Sequence, residues 1–272
     1  MNKLCQPYTC LFDISREKVD GRSFDAYKNW LKNTINILPG IIVFCDKIDE
    51  ELKELNANFV LVNHNNLETF KCLSKVKEVL IKFDPASPQD LTFRLPEYAL
   101  IQFSKFELAA QAYDISQAHS LLWVDAGLSR FISSTNYYML ESNAKFLLRN
   151  NYSFSFELDL KNNFDLHRLK ISKANIGSSR RIISGTSFWL RSEMINNLNF
   201  SINQLMRCWI EQGQWDNEQV ALRNLFEKVE YLKDTYFVLQ NTKQTGSVAR
   251  NILNFNLSKN RVLNRLIYQL LR

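Results

Sequence analysis

The chain is poor in side chains that form disulfides or hold metals. Only five cysteines stand among its 272 residues, Cys5, Cys10, Cys45, Cys72 and Cys208. Their number is odd and no CxxC spacing occurs, so neither a disulfide framework nor a zinc site is favoured. Reduced, mostly buried thiols in a cytoplasmic protein are expected instead. No apolar stretch reaches the roughly 18 residues needed to span a bilayer. The segment from Met1 to Pro7 has no apolar run of signal-peptide type, which predicts a soluble or at most peripheral protein. Internal repeats are absent. Acidic residues are missing altogether after Gln240, where Lys243, Arg250, Lys259, Arg261, Arg265 and Arg272 stand unopposed.

What is present describes a folded enzyme-sized chain. Its 46% hydrophobic and 12% aromatic content can fill one large core, with or without a small appendage. The net charge of +6 is concentrated late in the sequence. Such a basic tail faces either solvent or an anionic partner, such as lipid head groups or the phosphates of a nucleotide. It lacks a recognition motif and closely spaced exposed aromatics, so no nucleic-acid partner is expected.

Hydrophobic patterning predicts strands and helices in alternation. Tyr8 to Ile14 reads as a strand, Ser23 to Leu38 as a helix capped by Ser23 and stopped at Pro39-Gly40, and Ile41 to Asp46 and Asn58 to Asn63 as further strands. This alternation argues for a mostly parallel sheet with right-handed crossovers. Pro85 to Pro96 reads as a loop, and Glu97 to Tyr113 as an apolar helix whose pattern is broken by Ser104 and Lys105. Lys105 either snorkels to solvent or points into a ligand crevice. Tyr152 to Leu158 and the glycine-interrupted run from Ile182 to Leu190 read as strands. Met194 to Glu211 reads as a helix ended by Gly213, and Asp216 as the N-cap of another, with Gln219 completing a capping box.

The most suggestive segment runs from Leu121 to Gly127. A short apolar run that ends in Asp125, beside Ala126 and Gly127, fits a strand buried on both faces whose carboxyl end meets a ligand. A carboxylate there suits a divalent metal or a ribose hydroxyl, and Gly127 leaves backbone room for a phosphate or sugar. An Asp that only turns the chain is the plain alternative.

Three motifs follow one another in order: Asp125-Ala126-Gly127 at a strand end, Ile183-Ser184-Gly185-Thr186 in a strand, and Trp215-Asp216-Asn217-Glu218-Gln219 at a helix start. This order resembles the nucleotide-sugar glycosyltransferases of the GT-A fold. Ser104-Lys105-Phe106 and the segment from Leu122 to Gly127, together with Asp216 to Gln219, look like the HtrL/YibB family of bacterial surface-polysaccharide proteins, over most of residues 8–240. The resemblance implies an α/β, Rossmann-like fold with a mostly parallel central sheet flanked by helices. It implies a donor site at the strand ends, formed by Asp13, Arg16, Asp46, Lys105, Asp125, Ala126 and Gly127. The acceptor side would hold Gly185, Thr186 and Trp215, with Trp189 or Trp215 either stacking on a sugar or filling the core. In an inverting enzyme the general base would be Asp216 or Glu218, with Asp216 preferred.

In such enzymes a DxD motif holds Mn or Mg on the diphosphate. Here Gly127 stands where the second carboxylate would be, leaving Asp125 as the one metal ligand of the motif. None of His64, His119 and His167 lies in the C-terminal region, where a further ligand is often found. Arg16, Lys105 or the Arg180-Arg181 pair are the alternative sources of positive charge.

The expected activity is transfer of a sugar from a nucleotide-diphosphate donor, a UDP-sugar first, to a cell-surface polysaccharide or lipooligosaccharide acceptor. A catalytically silent nucleotide- or glycan-binding protein of the same fold is the rival. Residues 1–240 are expected to form the transferase domain and 241–272 a basic, amphipathic tail. The tail's apolar residues Leu253, Leu257, Val262, Leu266, Ile267, Leu270 and Leu271 face either an anionic inner membrane carrying lipid-linked saccharide acceptors or the protein core.

Overall fold

Short runs of branched and aromatic residues become the strands of a computed structural model that describes residues 3–82, 91–158, 183–239 and 247–260. They are β1 (Gln6–Leu11), β2 (Ile41–Cys45), β3 (Ala57–Leu61), β4 (Ser120–Val124), β5 (Phe154–Leu158), β6 (Ile183–Arg191) and β7 (Thr235–Leu239). The helices are α1 (Glu17–Asp20), α2 (Phe24–Ile37), α3 (Glu50–Lys53), α4 (Leu73–Lys82), α5 (Leu91–Arg94), α6 (Pro96–Ser116), α7 (Tyr137–Arg149), α8 (Ile195–Glu211), α9 (Glu218–Phe226), α10 (Val229–Leu232) and α11 (Ser247–Asn254). The fold is α/β, as the alternating pattern predicts.

The strands lie in one sheet in the order β3-β2-β1-β4-β6-β5-β7. Neighbours are parallel at β1/β2, β1/β4, β2/β3 and β5/β7, and antiparallel at β4/β6 and β5/β6. Thus β6 alone runs against the rest. Helices cover both faces. On one, Tyr8, Phe44, Leu121 and Trp123 pack with Phe103 and Phe106 of α6 and Leu198 and Ile202 of α8. On the other, Val43, Leu122 and Val124 meet Leu31 and Ile35 of α2, Leu140 and Ala144 of α7, and Ile252 of α11. Burial on both faces is why β2 and β4 read as near-continuous apolar runs, while β1 buries the polar Gln6 and Thr9 among its apolar residues.

Local signals hold in part. Ser23 caps α2, its side chain accepting from the Ala26 amide, an arrangement that contributes about 1 kcal/mol. The stretch expected to be loop between Pro85 and Pro96 contains the short helix α5. At α9 the N-cap is Asn217, not Asp216: the Asn217 Oδ1 accepts from the amides of Gln219 and Val220 at 3.1 Å each. Asn and Asp are equally good caps, and position in the chain decided between these neighbours.

The segment after residue 246 begins as part of the core. Val248, Ala249, Ile252, Leu253 and Leu257 are buried. The Asn143 amide donates to the carbonyls of Ile252 at 2.9 Å and Phe255 at 2.6 Å, while its oxygen accepts from the Leu257 amide at 3.1 Å. Leu253 and Leu257 of the expected amphipathic tail are therefore packed inside, whereas Val262, Leu266, Ile267, Leu270 and Leu271 lie outside the described residues. Among the described residues no helix is long and apolar enough to cross a membrane.

Candidate functional site

The chain lays down β1, β2 and β3 in one direction across the sheet, then returns to place β4 on the other side of β1. At such a reversal the loops leaving the two adjacent strands diverge, and a crevice opens at their carboxyl ends. A cavity of about 550 Å³ lies there. Asp13, Arg16, Lys105, Asp125, Ala126 and Gly127 all line it, joined by Tyr27, Tyr98 and Arg130. Asp46 stands behind the wall, where its Oδ2 accepts from the Asp13 amide at 3.1 Å and holds the loop that leaves β1.

Alternation along β4 puts Trp123 and Asp125 on the face covered by α6, and α6 presents Lys105 to them. The ammonium sits 5.3 Å from the centre of a Trp123 ring and 3.9 Å from Asp125 Oδ1. It donates to the Gly185 carbonyl at 2.9 Å and to Glu218 Oε1 at 3.0 Å. Lys105 is 1% exposed. Burial works against its charge, but the Glu218 and Asp125 carboxylates more than offset that, and its pKa is raised. Asp125 keeps 36% of its side chain exposed toward the cavity. Desolvation by the surrounding protein pushes its carboxyl above the usual range, against the pull of Lys105. Its backbone is fixed, since the Asp125 amide donates to the Thr186 carbonyl at 3.1 Å.

Arg16, Lys18, Arg22 and Arg130 line the cavity as further cations. Arg16 lies between the rings of Tyr27 and Tyr98, at 5.1 and 4.7 Å from their centres, and pairs with Asp20 at 2.7 Å. Arg130 lies over Trp30 at 4.4 Å and bonds through Nε to the Gly127 carbonyl at 3.1 Å. The loop carrying Arg130 is tied to α2, because Thr34 Oγ1 donates to the Ala126 carbonyl and accepts from the Ser129 amide.

The residues expected on the acceptor side gather behind Lys105, not on the cavity wall. A methyl group added to Gly185 would lie 2.1 Å from Glu218 Oε1, so the open space at this glycine is taken by the Glu218 carboxylate. Thr186 pairs its hydroxyl with that of Ser184 at 3.0 Å. Trp215 is fully buried against Phe103, and Trp189 is fully buried too. Asp216 and Glu218 are each 1% exposed, and Asp216 Oδ1 accepts from the Asn217 amide at 2.8 Å. Lys105 thus connects Asp125 on the cavity wall with Gly185 of β6 and Glu218 of α9 behind it.

Among the described residues the ligand set does not fit a metal on Asp125. Among the described residues no three His, Cys, Asp or Glu side chains converge to hold an ion. The carboxylate across from Asp125, that of Glu218, is committed to Lys105. Arg180, Arg181 and His167 lie outside the described residues.

Arg130, Tyr27 and Tyr98 were not legible as site residues. In the sequence Tyr27 is one of the apolar positions that recur along the α2 helix. Arg130 becomes conspicuous only with hindsight, three residues after the glycine on which it lies.

No protein-family model matches this chain, and no curated protein matches it in sequence. Among solved structures it is similar to the glycosyltransferase GlyE of Streptococcus pneumoniae TIGR4, at 9% sequence identity and a TM-score of 0.43. That match covers 88% of this chain and 45% of the other, so the chain spans less than half the length of the protein it matches.

Proposed function

We propose that this protein transfers a sugar from a nucleotide-diphosphate donor to a saccharide acceptor. One observation carries the reading: a cavity at the β1/β4 reversal, large enough for a small-molecule ligand, is lined by the carboxylates of Asp13, Glu17 and Asp125 and by cations that include Arg16, Lys105 and Arg130. A carboxylate suits the hydroxyls of a ribose or sugar, and the cations suit a diphosphate. As the acceptor hydroxyl attacks the anomeric carbon, the bond to the diphosphate oxygen breaks and negative charge grows on the leaving group. Cations held in place along the cavity wall meet that charge with little reorganisation. In this reading Asp216 takes the proton from the acceptor oxygen, while Glu218 serves Lys105. The proposed donor is a UDP-sugar and the proposed acceptor a bacterial surface polysaccharide or lipooligosaccharide, free or lipid-linked, on the motif resemblance to the HtrL/YibB family alone, which no family model supports.

A specific feature favours the silent-binder reading as well, since both acidic candidates for the base are 1% exposed. The test is release of nucleoside diphosphate from a panel of sugar nucleotides, with and without oligosaccharide acceptors. Release that depends on Asp125 supports transfer. Binding with no release under any condition would replace transfer by the silent reading, and no binding at all would overturn both.

A further inference from the structure

The space beside Gly127, two residues after Asp125, is filled by a guanidinium. A Cβ at Gly127 would stand 2.7 Å from Arg130 Nε and 2.9 Å from its Nη2. While Arg130 keeps this place, no side chain fits at 127, a carboxylate included. The guanidinium is held there by its bond to the Gly127 carbonyl and by the Trp30 and Phe131 rings, 4.4 and 4.9 Å from its centre. Among the described residues its two Nη groups have no hydrogen-bond partner, and no carboxylate forms an ion pair with it. The side chain is exposed and lines the cavity beside Asp125. A planar cation with free donors, pre-placed by stacking and by an anchored loop, is suited to two phosphate oxygens at once.

We infer that the Arg130 guanidinium, laid on Gly127, is the cation that meets the donor's phosphates, so that the cavity binds a diphosphate group without a divalent metal. A cation built into the chain then does at the phosphates what a bound metal ion would otherwise do. Lys105 has too little freedom for this task, because its donors are directed at Gly185 and Glu218. This inference rests on the reading of the cavity as a nucleotide-sugar site, and the experiment separates the two.

Calorimetric titrations of the full chain with inorganic pyrophosphate and with UDP, ADP, GDP and CDP would be run in chelator and in manganese. Arg130→Gln and Arg130→Lys would be titrated beside the wild type. Pyrophosphate and at least one nucleotide should bind the wild type equally well in chelator and in manganese. Arg130→Gln should weaken both roughly tenfold or more, as expected for a lost charge-assisted hydrogen bond. Arg130→Lys, which keeps the charge without the planar fork, should fall between. Tenfold tighter binding in manganese would overturn the inference while leaving the nucleotide site standing. Unchanged affinity in Arg130→Gln would also overturn it. Pyrophosphate binding that depends on Arg130, with no nucleotide bound, would keep the anion site and remove the proposed donor. Binding of neither would end both.

Discussion

Lys105 Nζ and Glu218 Oε1, 113 positions apart in sequence, face each other at 3.0 Å with both side chains 2% exposed. Removing Lys105 leaves the Glu218 charge buried without its ion-pair partner. Lys105→Met should therefore destabilise the protein by about 3–5 kcal/mol, more than it changes any ligand contact. Replacing both, Lys105→Met with Glu218→Leu, should recover most of that loss. Urea denaturation of the single and double variants measures the coupling. A single variant within about 1 kcal/mol of wild type would show that the pair is not structural.

Asp125→Asn should abolish donor binding without lowering stability at neutral pH. The sign follows from the raised pKa. The folded protein holds the Asp125 proton more tightly than the unfolded chain, whose value is near 3.8, so stability is lost as pH rises from there through the folded value. The variant has no such loss. Its melting temperature should equal or exceed that of wild type at pH 7, with the gap closing below about pH 4. A lower melting temperature at pH 7 together with intact binding would remove Asp125 from the site.

Gly185→Ala is expected to act through Glu218. The added methyl would meet Glu218 Oε1 at 2.1 Å and Lys105 Nζ at 3.3 Å, forcing the buried pair apart. A loss of about 1–3 kcal/mol is expected, the usual range for overpacking. Chemical denaturation measures it. Combined with Glu218→Gln, the penalty should change by far more than for two independent sites, and simple additivity would contradict the contact.

Asp216→Asn and Glu218→Gln should separate chemistry from architecture. If Asp216 is the base, its variant should lose transfer by roughly 100-fold or more while still binding donor. Glu218→Gln should instead lower stability and donor affinity together, because it releases Lys105. Equal transfer by Asp216→Asn and wild type would place the base elsewhere or mean that the enzyme retains configuration.

The sheet was legible because strands buried on both faces write themselves as apolar runs, and Lys105 because a cation inside such a helix breaks the run. Asp125 stood out for the same reason, as a charge at the end of a buried strand. Other features depend on contacts between distant segments. Nothing near Arg130 signals that Trp30 of α2 lies under its guanidinium. Gly185 does mark a close approach, but the approaching group is the Glu218 carboxylate and not a sugar. Asp216 and Asn217 are equivalent as caps by chemistry, so the start of α9 could be read one residue early. The apolar positions of α11 suit a membrane face and a core face equally, and the hydrogen bonds of Asn143 show Leu253 and Leu257 to belong inside.

The reversed strand β6 also shapes how the molecule must come into being. It follows β5 in the chain yet lies between β4 and β5, so it is the seam joining β3-β2-β1-β4 to β5-β7. Until residues 183–191 have left the ribosome, one edge of β4 has no neighbour, and that edge belongs to the apolar run from Leu121 to Val124. An unprotected apolar edge recruits other chains, and pairing across a long sequence separation is slow. The yield of folded protein, more than its final stability, should therefore be the property most sensitive to changes in β6.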